Sequence, residues 1–390
     1  MTQATAPARP VSGKAIRAGT HRSRTAEETW EWIRPLLPSF GITRVAEVTW
    51  LDEIGIPVFQ AIRPNARTLS VSQGKGISRV LARVSAVMEG IELWHAEHPT
   101  LPVKTCTVGD MEQKLSYPLE ALTTAPRHAL GPDSRLDWYP ASTVDGRHPS
   151  YLPASLLHLD HCVNGRWTSV SFRATSNGLA SGNTLDEAVL HGLYEVIERD
   201  ASTRARRHPT GLPVSLSSVD DPSARLLLDR LEAAGVQVTV RFLPNPFGVP
   251  TFDAIIWSPL IPLRFAGAGT HLDTSVALCR ALSEAAQSRA TAIAGARDDI
   301  GQTAYREARF FSVNRSPGIS THEPSTGEAL DFPSIPSAPL DDLQQEVIHV
   351  ARRVASVTGF EPLHVDHTSA EFGVPVAHVV CPGAQFDTSH

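Results

Sequence analysis

The chain has 390 residues, of which 42% are hydrophobic and 19% charged, and its formal net charge is −6. This composition is typical of a water-soluble globular protein with a sizeable core, and the absence of a large basic cluster argues against a nucleic-acid partner. The apolar runs are too short to span a bilayer and the N-terminus lacks the apolar stretch of a signal peptide, so we expect a cytoplasmic protein.

Neither the cysteines nor the histidines form a recognisable metal-binding motif. The four cysteines are widely scattered and form no Cys-x-x-Cys pair: Cys106, Cys162, Cys279 and Cys381. This excludes an obvious thiolate zinc site or disulfide framework. The close histidine pairs, His95 with His98 and His364 with His367, do not match a known ligand spacing. We expect them to be core or surface residues rather than metal ligands.

The composition along the chain predicts one large domain with two irregular segments. Residues 1–13 are rich in Ala, Pro and Thr, which is typical of a disordered leader. Residues 14–390 are predicted to form a single domain. Within it, residues 313–340 contain repeated prolines together with Ser, Thr and Gly, a pattern that favours a long surface loop.

The N-terminal part is predicted to contain a short helix and two strands. The sequence Thr25-Ala-Glu-Glu can cap the helix. Pro35 and Pro38 are expected to end it, or to allow at most one further turn. Alternating apolar residues predict strands over 42–50 and 57–63.

A Gly74-Lys75-Gly76 segment is predicted to form a turn between a strand ending near residue 73 and a helix from Ile77 to about His98. Spacings of three and four residues place one set of small and acidic side chains on a single face of this helix: Ser78, Ala82, Ser85, Glu89 and Glu92. A glycine turn with a lysine before a helix can bind phosphate. The Walker A spacing is absent, however, and a simple turn is the alternative interpretation.

The central stretch, from Ser176 to Asp200, follows a predominantly strand-and-loop region over 100–165 and a predicted strand over 166–175. Gly178 and Gly182 are expected to permit positive φ angles, and Thr184 with Glu187 has the spacing of a capping box. In the helix that follows, one face carries Glu187, His191, Glu195 and Glu198. A solvated acidic face is one interpretation; a face that binds cations or metal is the other.

A third glycine-rich join, Phe265 to Asp273, precedes a helix predicted over 274–294. Arg280, Glu284 and Gln287 share one face of this helix, and Arg289 lies close by in sequence. Solvent-exposed salt bridges are the alternative explanation. The other predicted elements are helices at 224–234 and 343–357 and strands at 236–242, 254–257 and 374–380. This order suits an α+β or α/β layered domain.

The three glycine-to-helix segments together favour a nucleotide site. Mg²⁺ takes oxygen ligands and is usually bridged between carboxylates and nucleotide phosphates. Facing Glu-x-x-Glu pairs on two helices could bind such ions, while Lys75, Arg199 and the amides of the turns would neutralise a triphosphate. The pattern points to an ATP-using enzyme without a P-loop.

These motifs resemble the YcaO family from about Lys14 to Gly383. The matching blocks are Gly19–Arg22, Ser72–Gly76, Ser85–Glu92, Ser176–Asp200 and Arg280–Arg289. The resemblance implies a layered α+β fold with mixed sheets packed against helices and no P-loop. It also implies ATP and Mg²⁺ as cofactors.

The resemblance assigns roles to individual residues as well. It implies that the metal is bound by Glu89, Glu92, Glu195 and Glu198. The nucleotide-binding set that it implies is Arg22, Thr29, Ser72, Lys75, Asn183, Glu187, Arg199, Arg280, Glu284 and Gln287. Arg199, Gln287 and Arg289 are expected to position the reacting groups.

YcaO enzymes activate a backbone amide of a ribosomally made peptide by transferring the γ-phosphoryl group of ATP to the amide oxygen. Attack by a neighbouring side chain gives an azoline, attack by the peptide's amino terminus gives a macroamidine, and external sulfide gives a thioamide. Since a tethered nucleophile is entropically favoured, we expect cyclodehydration. Thioamidation with a TfuA-type partner is the alternative.

One departure from the family concerns the C-terminus. Many azoline-forming members end in a Pro-x-Pro-x-Pro tail, whereas this chain ends Gln385-Phe-Asp-Thr-Ser-His390. We also expect a separate protein or the domain surface to recognise the precursor peptide, and we expect a homodimer. A noncatalytic ATP-binding regulator and a plain Mg²⁺-dependent nucleotide hydrolase remain competing hypotheses.

Overall fold

A computed structural model describes residues 13–125, 130–160, 171–208, 210–261, 263–297 and 328–386. Most of the predicted leader, the first half of the strand predicted at 166–175 and residues 313–327 of the predicted loop lie outside these ranges. None of the helices in the described ranges is long and apolar enough to cross a membrane.

The described residues form a mixed α and β structure, as predicted. The helices are α1 Ala26–Ile33, α2 Arg79–Glu97, α3 Val108–Glu112, α4 Ala154–Leu157, α5 Leu185–Arg207, α6 Pro222–Ala233, α7 Thr274–Ala294 and α8 Leu343–Thr358. The strands are β1 Ala15–Arg17, β2 Thr20–Arg22, β3 Arg44–Glu47, β4 Val58–Ile62, β5 Val71–Lys75, β6 Lys104–Thr107, β7 Arg135–Thr143, β8 Pro149–Pro153, β9 Leu179–Ser181, β10 Leu212–Ser215, β11 Gln237–Phe242, β12 Thr251–Trp257, β13 Phe265–Thr270, β14 Leu330–Asp331, β15 Leu363–Asp366 and β16 Val376–Val380.

Four sheets organise these strands. A small hairpin pairs β1 with β2, and β3-β4-β5 form a three-stranded sheet. The larger sheets have the orders β13-β12-β11-β10-β14 and β6-β7-β15-β16-β9, the latter with β8 added beside β7. Pairing is antiparallel throughout the described ladders except between β10 and β14.

The three long helices α2, α5 and α7 each follow a strand that they pack against. Residues of α2 join the apolar core of the three-stranded sheet, those of α7 and α6 the core of the β10–β13 sheet, and those of α5 and α8 the core beside β16. Each helix therefore starts beside the end of its own strand. The three strand–helix units are neighbours, since α7 contacts β5, α2 contacts β9 and α5 contacts β13.

The glycines of these units are needed mainly for close packing rather than for turns. Gly74 belongs to β5 and has no positive φ, so the predicted Gly74-Lys75-Gly76 turn is wrong in its first two residues. A Cβ at Gly74 would lie 2.0 Å from the Ala86 nitrogen of α2. Gly178 has the predicted positive φ, 82°, whereas Gly182 does not, and its Cβ would meet the Ala188 nitrogen at 2.6 Å. Sequence patterns do not distinguish these two reasons for a glycine.

Two further expectations differ from the structure. The α-helix ends at Ile33, before Pro35 and Pro38, as expected; the chain then continues for more than one further turn, because a 3-10 helix runs from Arg34 to Phe40 and ends at Gly41. The part of the predicted 313–340 loop that is described contains β14 and a short 3-10 helix. Its Phe332 and Ile335 are buried in the core of the neighbouring sheet. Apolar side chains thus bring this segment into the core despite its prolines.

Candidate active site

Helices α2, α5 and α7 bring five carboxylates to one recess. Glu89 and Glu92 lie on α2, Glu195 and Glu198 on α5, and Glu284 on α7. The charges interact across the helices, since the negative charges of Glu284 on α7 and Glu89 on α2 both raise the pKa of Glu195 on α5. The recess is open at its surface, where the side chains of Glu195 and Glu284 are 20% and 34% exposed. Such a group of acids can receive a cation from solvent.

The two carboxylates of α2 are oriented by neutral donors. Glu89 Oε2 accepts a hydrogen bond from the Gln73 N–H at 2.9 Å. Glu92 Oε1 accepts from the Ser181 N–H at 2.8 Å and from its hydroxyl at 2.6 Å. Burial raises the pKa of Glu92 to about 8, and Glu89 and Glu195 add to the shift. Burial raises the pKa of Glu89 as well, despite the Gln73 hydrogen bond.

The carboxylates of α5 are also short of positive charge. Burial raises the pKa of Glu198 to about 7, with a further contribution from Glu284. The pKa of Glu195 is raised by burial although the Arg199 guanidinium lies 3.6 Å away. The side chain of Arg199 is 52% exposed, so its charge can be directed to a ligand at the opening of the recess.

Helix α7 supplies the other polar wall. Lys75 Nζ donates to Glu284 Oε2 at 2.7 Å; although burial opposes ionisation, Lys75 holds the pKa of Glu284 below its usual value. Arg280 donates to His191 Nε2 at 2.8 Å. Burial and Arg280 together keep the pKa of His191 well below its usual range, so this imidazole is a neutral acceptor. Gln287 Nε2 lies 3.4 Å from Gln73 Oε1.

The N-terminal segment joins the start of α5. The Thr29 hydroxyl donates to Asn183 Oδ1 at 2.7 Å, and Asn183 Nδ2 donates to Glu187 Oε1 at 3.1 Å. Arg22 Nη1 lies 3.4 Å from Glu187 Oε1. Ser23 donates its N–H and hydroxyl to Glu187 Oε2 at 3.1 and 2.8 Å. Residues far apart in the sequence thus form one hydrogen-bonded cluster.

The predicted capping box at the start of α5 is only half present. The Thr184 hydroxyl accepts from the Glu187 N–H at 3.2 Å, as expected. The Glu187 carboxylate, however, bonds to Arg22, Ser23 and Asn183 rather than back to the cap. Two residues of the N-terminal segment, together with Asn183 beside the cap, therefore take the place of the cap N–H.

The donor set of the recess fits Mg²⁺ shared with phosphate. All five carboxylates offer hard oxygen ligands. Burial raises the pKa values of Glu89, Glu92, Glu195 and Glu198, and neighbouring acids raise them further, so a cation bound here would stabilise the ionised carboxylates. Within the described ranges, no three acidic, histidine or cysteine side chains converge closely enough to bind one ion by themselves. Mg²⁺ bound through one or two carboxylates needs other ligands, and nucleotide phosphates supply them.

Two of the predicted site residues do not face the recess. Ser72 is 1% exposed and lies against α2 opposite Gly90. Arg289 is fully buried and bonds to Asp52 at 2.9 Å and to Ser258 at 2.8 Å. Because Arg289 is two residues from Gln287, it projects from a different side of α7. The structure therefore does not support positioning of reacting groups by Arg289.

Sequence reasoning also missed residues that shape the site. Gln73, Ser181 and Ser23 orient Glu89, Glu92 and Glu187 through the hydrogen bonds described above. Gln73 and Ser181 share a detectable signal, since both lie in a strand immediately before a glycine and a long helix. No comparable signal marks Ser23, which reaches Glu187 across 164 residues of sequence.

The sequence was compared with models of protein families and with known proteins. The family model described as YcaO cyclodehydratase, ATP- and Mg²⁺-binding, matches residues 73–385. An uncharacterised protein of Mycobacterium tuberculosis is 38% identical over 370 residues, covering 95% of this chain and 83% of the relative. A protein described as lying in the tfuA 3′ region of Rhizobium leguminosarum bv. trifolii is 35% identical over 385 residues, covering 94% and 89%.

Solved structures share the fold. A YcaO protein from Methanopyrus kandleri, bound with AMPPCP and Mg²⁺, superposes with a TM-score of 0.73 at 24% identity and covers 96% of this chain and 95% of its own. A heterocyclase in complex with substrate and cofactor gives a TM-score of 0.79 at 21% identity over 94% of this chain. The chain spans 53% of that longer heterocyclase.

Proposed function

The chain belongs to the YcaO family, and from this premise we propose that it activates a backbone amide of a ribosomally made peptide by ATP-dependent O-phosphorylation. ATP and Mg²⁺ are its cofactors. We propose that the product arises by cyclodehydration, giving an azoline or a macroamidine, and that the enzyme acts as a homodimer.

The observation that carries this proposal is the excess of carboxylates in an open recess. Burying acids with raised pKa values lowers stability unless a ligand compensates their charge. Four such acids, Glu89, Glu92, Glu195 and Glu198, come from two helices that each follow a strand with glycine in it or beside it. One or two of these carboxylates would bind each Mg²⁺, and the bound metal would neutralise the phosphate charge of ATP.

The other residues of the site would bind and orient the nucleotide. Lys75 and Arg199 offer partly exposed positive charges at the opening, and phosphoryl transfer is accelerated chiefly by positioning and charge neutralisation. Arg280 is held by neutral His191 rather than by a carboxylate, which leaves its charge available to a phosphate. Arg22, Thr29, Asn183, Glu187 and Gln287 would order the nucleotide at the start of α5 and on α7.

The proposed reaction transfers one amide oxygen from the peptide to phosphate. A nucleophile adds to the amide carbon and releases a proton to solvent, and the amide oxygen becomes an oxyanion. The oxyanion attacks the γ-phosphorus of ATP as the bond to ADP breaks. The C–O bond then breaks and inorganic phosphate leaves, while the former amide nitrogen, or the added sulfur when sulfide is the nucleophile, releases a second proton and a C=N or C=S bond forms.

The source of the nucleophile distinguishes two products. A tethered side chain or amino terminus has a high effective concentration, which favours cyclodehydration, and the heterocyclase superposes with this chain. The location of the Rhizobium relative beside tfuA favours the second candidate, thioamidation by external sulfide with a TfuA-type partner.

Mass measurement on a modified peptide separates these products. The substrate would be the peptide encoded by a short reading frame beside the gene, incubated with enzyme, ATP and Mg²⁺. We expect loss of one water for each modified residue. Exchange of oxygen for sulfur, dependent on sulfide and a partner protein, would overturn cyclodehydration and support thioamidation.

A heavy-oxygen label at the peptide amide tests the common step. Amide O-phosphorylation transfers the label to inorganic phosphate in both reactions. A plain nucleotide hydrolase would take the oxygen from water instead, and unlabelled phosphate would contradict the proposed function.

A further inference from the structure

The β1–β2 hairpin carries Arg22 and lies outside the family match, which begins at residue 73. Each of its strands has three residues, and an isolated hairpin of this size is not stable in water. Its register pairs Ala15 with Arg22, so Lys14 and Arg22 lie at the same end of the hairpin. The contacts that hold this end therefore determine where Arg22 lies.

A buried ion pair fixes the hairpin to α8. Lys14 Nζ lies 2.7 Å from Glu346 Oε2, and both side chains are fully buried. The backbone supports the same contact, because the Lys14 N–H donates to Asp341 O at 2.9 Å and Gly13 forms a bridge with Asp342. The end of the hairpin is thus tied to the start of α8 by both main chain and side chain.

The same carboxylate reaches the metal-binding helix. Glu346 Oε1 accepts a hydrogen bond from the Tyr194 hydroxyl at 2.7 Å, and Tyr194 directly precedes Glu195 on α5. Glu346 Oε2 also accepts from the Leu340 N–H at 2.9 Å. Glu346 Oε1 also lies 3.9 Å from His271 Nε2, so groups of this chain surround the carboxylate.

A second contact ties the hairpin to α7. His21 Nε2 lies 3.3 Å from Oδ2 of Asp273, the residue that caps the N-terminus of α7. His21 is 6% exposed and packs edge-on against His271. The residue after His21 is Arg22, whose guanidinium lies 3.4 Å from Glu187 Oε1. The hairpin therefore contacts α8, α7 and α5 close to Arg22 and Glu187, two residues that we propose bind the nucleotide.

We propose that Lys14, Glu346 and Tyr194 are positioning residues that hold Arg22 and the hairpin at the nucleotide end of α5. A buried ion pair is seldom the best way to stabilise a fold, but it fixes a geometry. The inference rests on the proposed use of ATP. It adds that affinity for the nucleotide depends on a network whose hydrogen bonds and ion pair do not include the carboxylates proposed to bind metal.

A double-mutant cycle on Lys14 and Arg22 tests this indirect action. Lys14→Met should raise KM for ATP by about tenfold, the value of one lost charge-assisted hydrogen bond, while kcat changes by less than about twofold. Arg22→Ala should have a similar effect, and the double variant should be no worse than either. Additive increases in KM would show that Lys14 does not act through Arg22 and would overturn the proposal.

A matched control separates positioning from loss of stability. Glu97 forms another fully buried ion pair, with Arg63, remote from the hairpin. Glu97→Gln and Glu346→Gln both break a buried pair, and both should lower the unfolding temperature. Only Glu346→Gln should raise KM for ATP when both are assayed below their unfolding transitions. Equal KM values in the two variants would contradict the proposal.

Hydrogen exchange gives a result that does not depend on the reaction. In the ligand-free protein, Glu346→Gln should lose amide protection at residues 20–23 while Glu97→Gln retains it. Retained protection in both variants would overturn the network itself. If exchange responds as expected but wild-type protein neither binds nor hydrolyses ATP, the proposed function fails and the network remains as a structural contact only.

Discussion

Two glutamates in the C-terminal half of helix α2 have opposite settings. At the end of the helix, the buried carboxylate of Glu97 pairs with the Arg63 guanidinium and accepts hydrogen bonds from the N–H and hydroxyl of Thr68. About one and a half turns earlier, Glu92 has only the neutral donors of Ser181 and no salt bridge among the described residues. Burial and neighbouring acids raise the pKa of Glu92 to about 8.

This difference separates a structural acid from a candidate functional one. A buried charge that serves the fold is matched by a cation within the chain, as Glu97 is and as Glu346 is by Lys14. The recess instead collects several acids whose charge the chain leaves partly uncompensated. The expected compensation is an external cation, so the two classes of acid should respond differently to substitution and to the removal of metal.

The largest expected effect concerns the recess. Glu89→Gln, Glu92→Gln, Glu195→Gln and Glu198→Gln should each lower ATP turnover by at least about a hundredfold, since each removes a charged metal ligand. Circular dichroism and cooperative unfolding should remain those of a folded protein. Glu97→Gln, assayed below its unfolding transition, is the control and should retain turnover. Near-wild-type turnover in any two recess variants would contradict the metal assignment.

In the absence of metal, the free energy of unfolding should fall more in Glu97→Gln than in the variants of the recess acids. Glu97→Gln leaves the buried Arg63 without its anion and should lower the free energy of unfolding by about 3–5 kcal/mol. Glu92→Gln keeps an oxygen for Ser181 and removes repulsion, so stability should be unchanged or higher. Urea unfolding in a chelating buffer measures both. A large loss of stability in Glu92→Gln would identify that carboxylate as a structural group.

Two buried histidines, His378 on β16 and His367 just before that strand in the sequence, remain uncharged in the folded protein near neutral pH. Burial lowers the pKa of His367 to about 3, with further lowering by His378, His95 and His158, and lowers the pKa of His378 to about 4. The unfolded chain takes up protons below about pH 6.5 while the folded one does not, so stability falls as pH falls from there. Each histidine should cost about 2 kcal/mol at about pH 5.

The variant His367→Leu isolates this contribution. Between about pH 7.5 and pH 5, wild-type protein should lose about 2 kcal/mol more unfolding free energy than the variant. The titrations of the recess acids are common to both proteins and cancel in the difference. Parallel pH profiles would show that His367 is protonated in the folded state.

The smallest expected effect concerns Lys75, the lysine at the opening of the recess. Lys75 pairs with Glu284 and is 25% exposed, so Lys75→Ala should raise Kd for ATP by about tenfold, with little change in stability. Calorimetric titration with ATP measures this Kd. An effect below about 0.5 kcal/mol, the usual size for a surface substitution, would mean that Lys75 does not contact the phosphates.

The helical faces could be predicted because they depend on local spacing. The period of α2, α5 and α7 places Glu89 with Glu92 and Glu195 with Glu198 regardless of the tertiary fold. The same reasoning failed for Arg289, because nearness in sequence to Gln287 does not give nearness on a helix surface. Three-and-four spacing would have excluded it.

Other features required the three-dimensional structure. Gly74 looked like a turn residue, but the reason for glycine there is the close approach of Ala86 on the following helix. Ser23 reaches Glu187, and Tyr194 reaches Glu346, across more than 150 residues of sequence, and no local pattern encodes such contacts. Sequence spacing therefore identified the acids, but not Gln73, Ser181 and Ser23, which orient them.

The most direct test of the account is calorimetric titration of wild-type protein with a non-hydrolysable ATP analogue, with and without Mg²⁺. If the recess acids are held for a metal that is shared with phosphate, binding should be saturable with Mg²⁺ and at least about tenfold weaker without it. Glu198→Gln should lose this dependence and Glu97→Gln should keep it. Equally tight binding with and without Mg²⁺, or binding that Glu198→Gln leaves unchanged, would contradict the central claim.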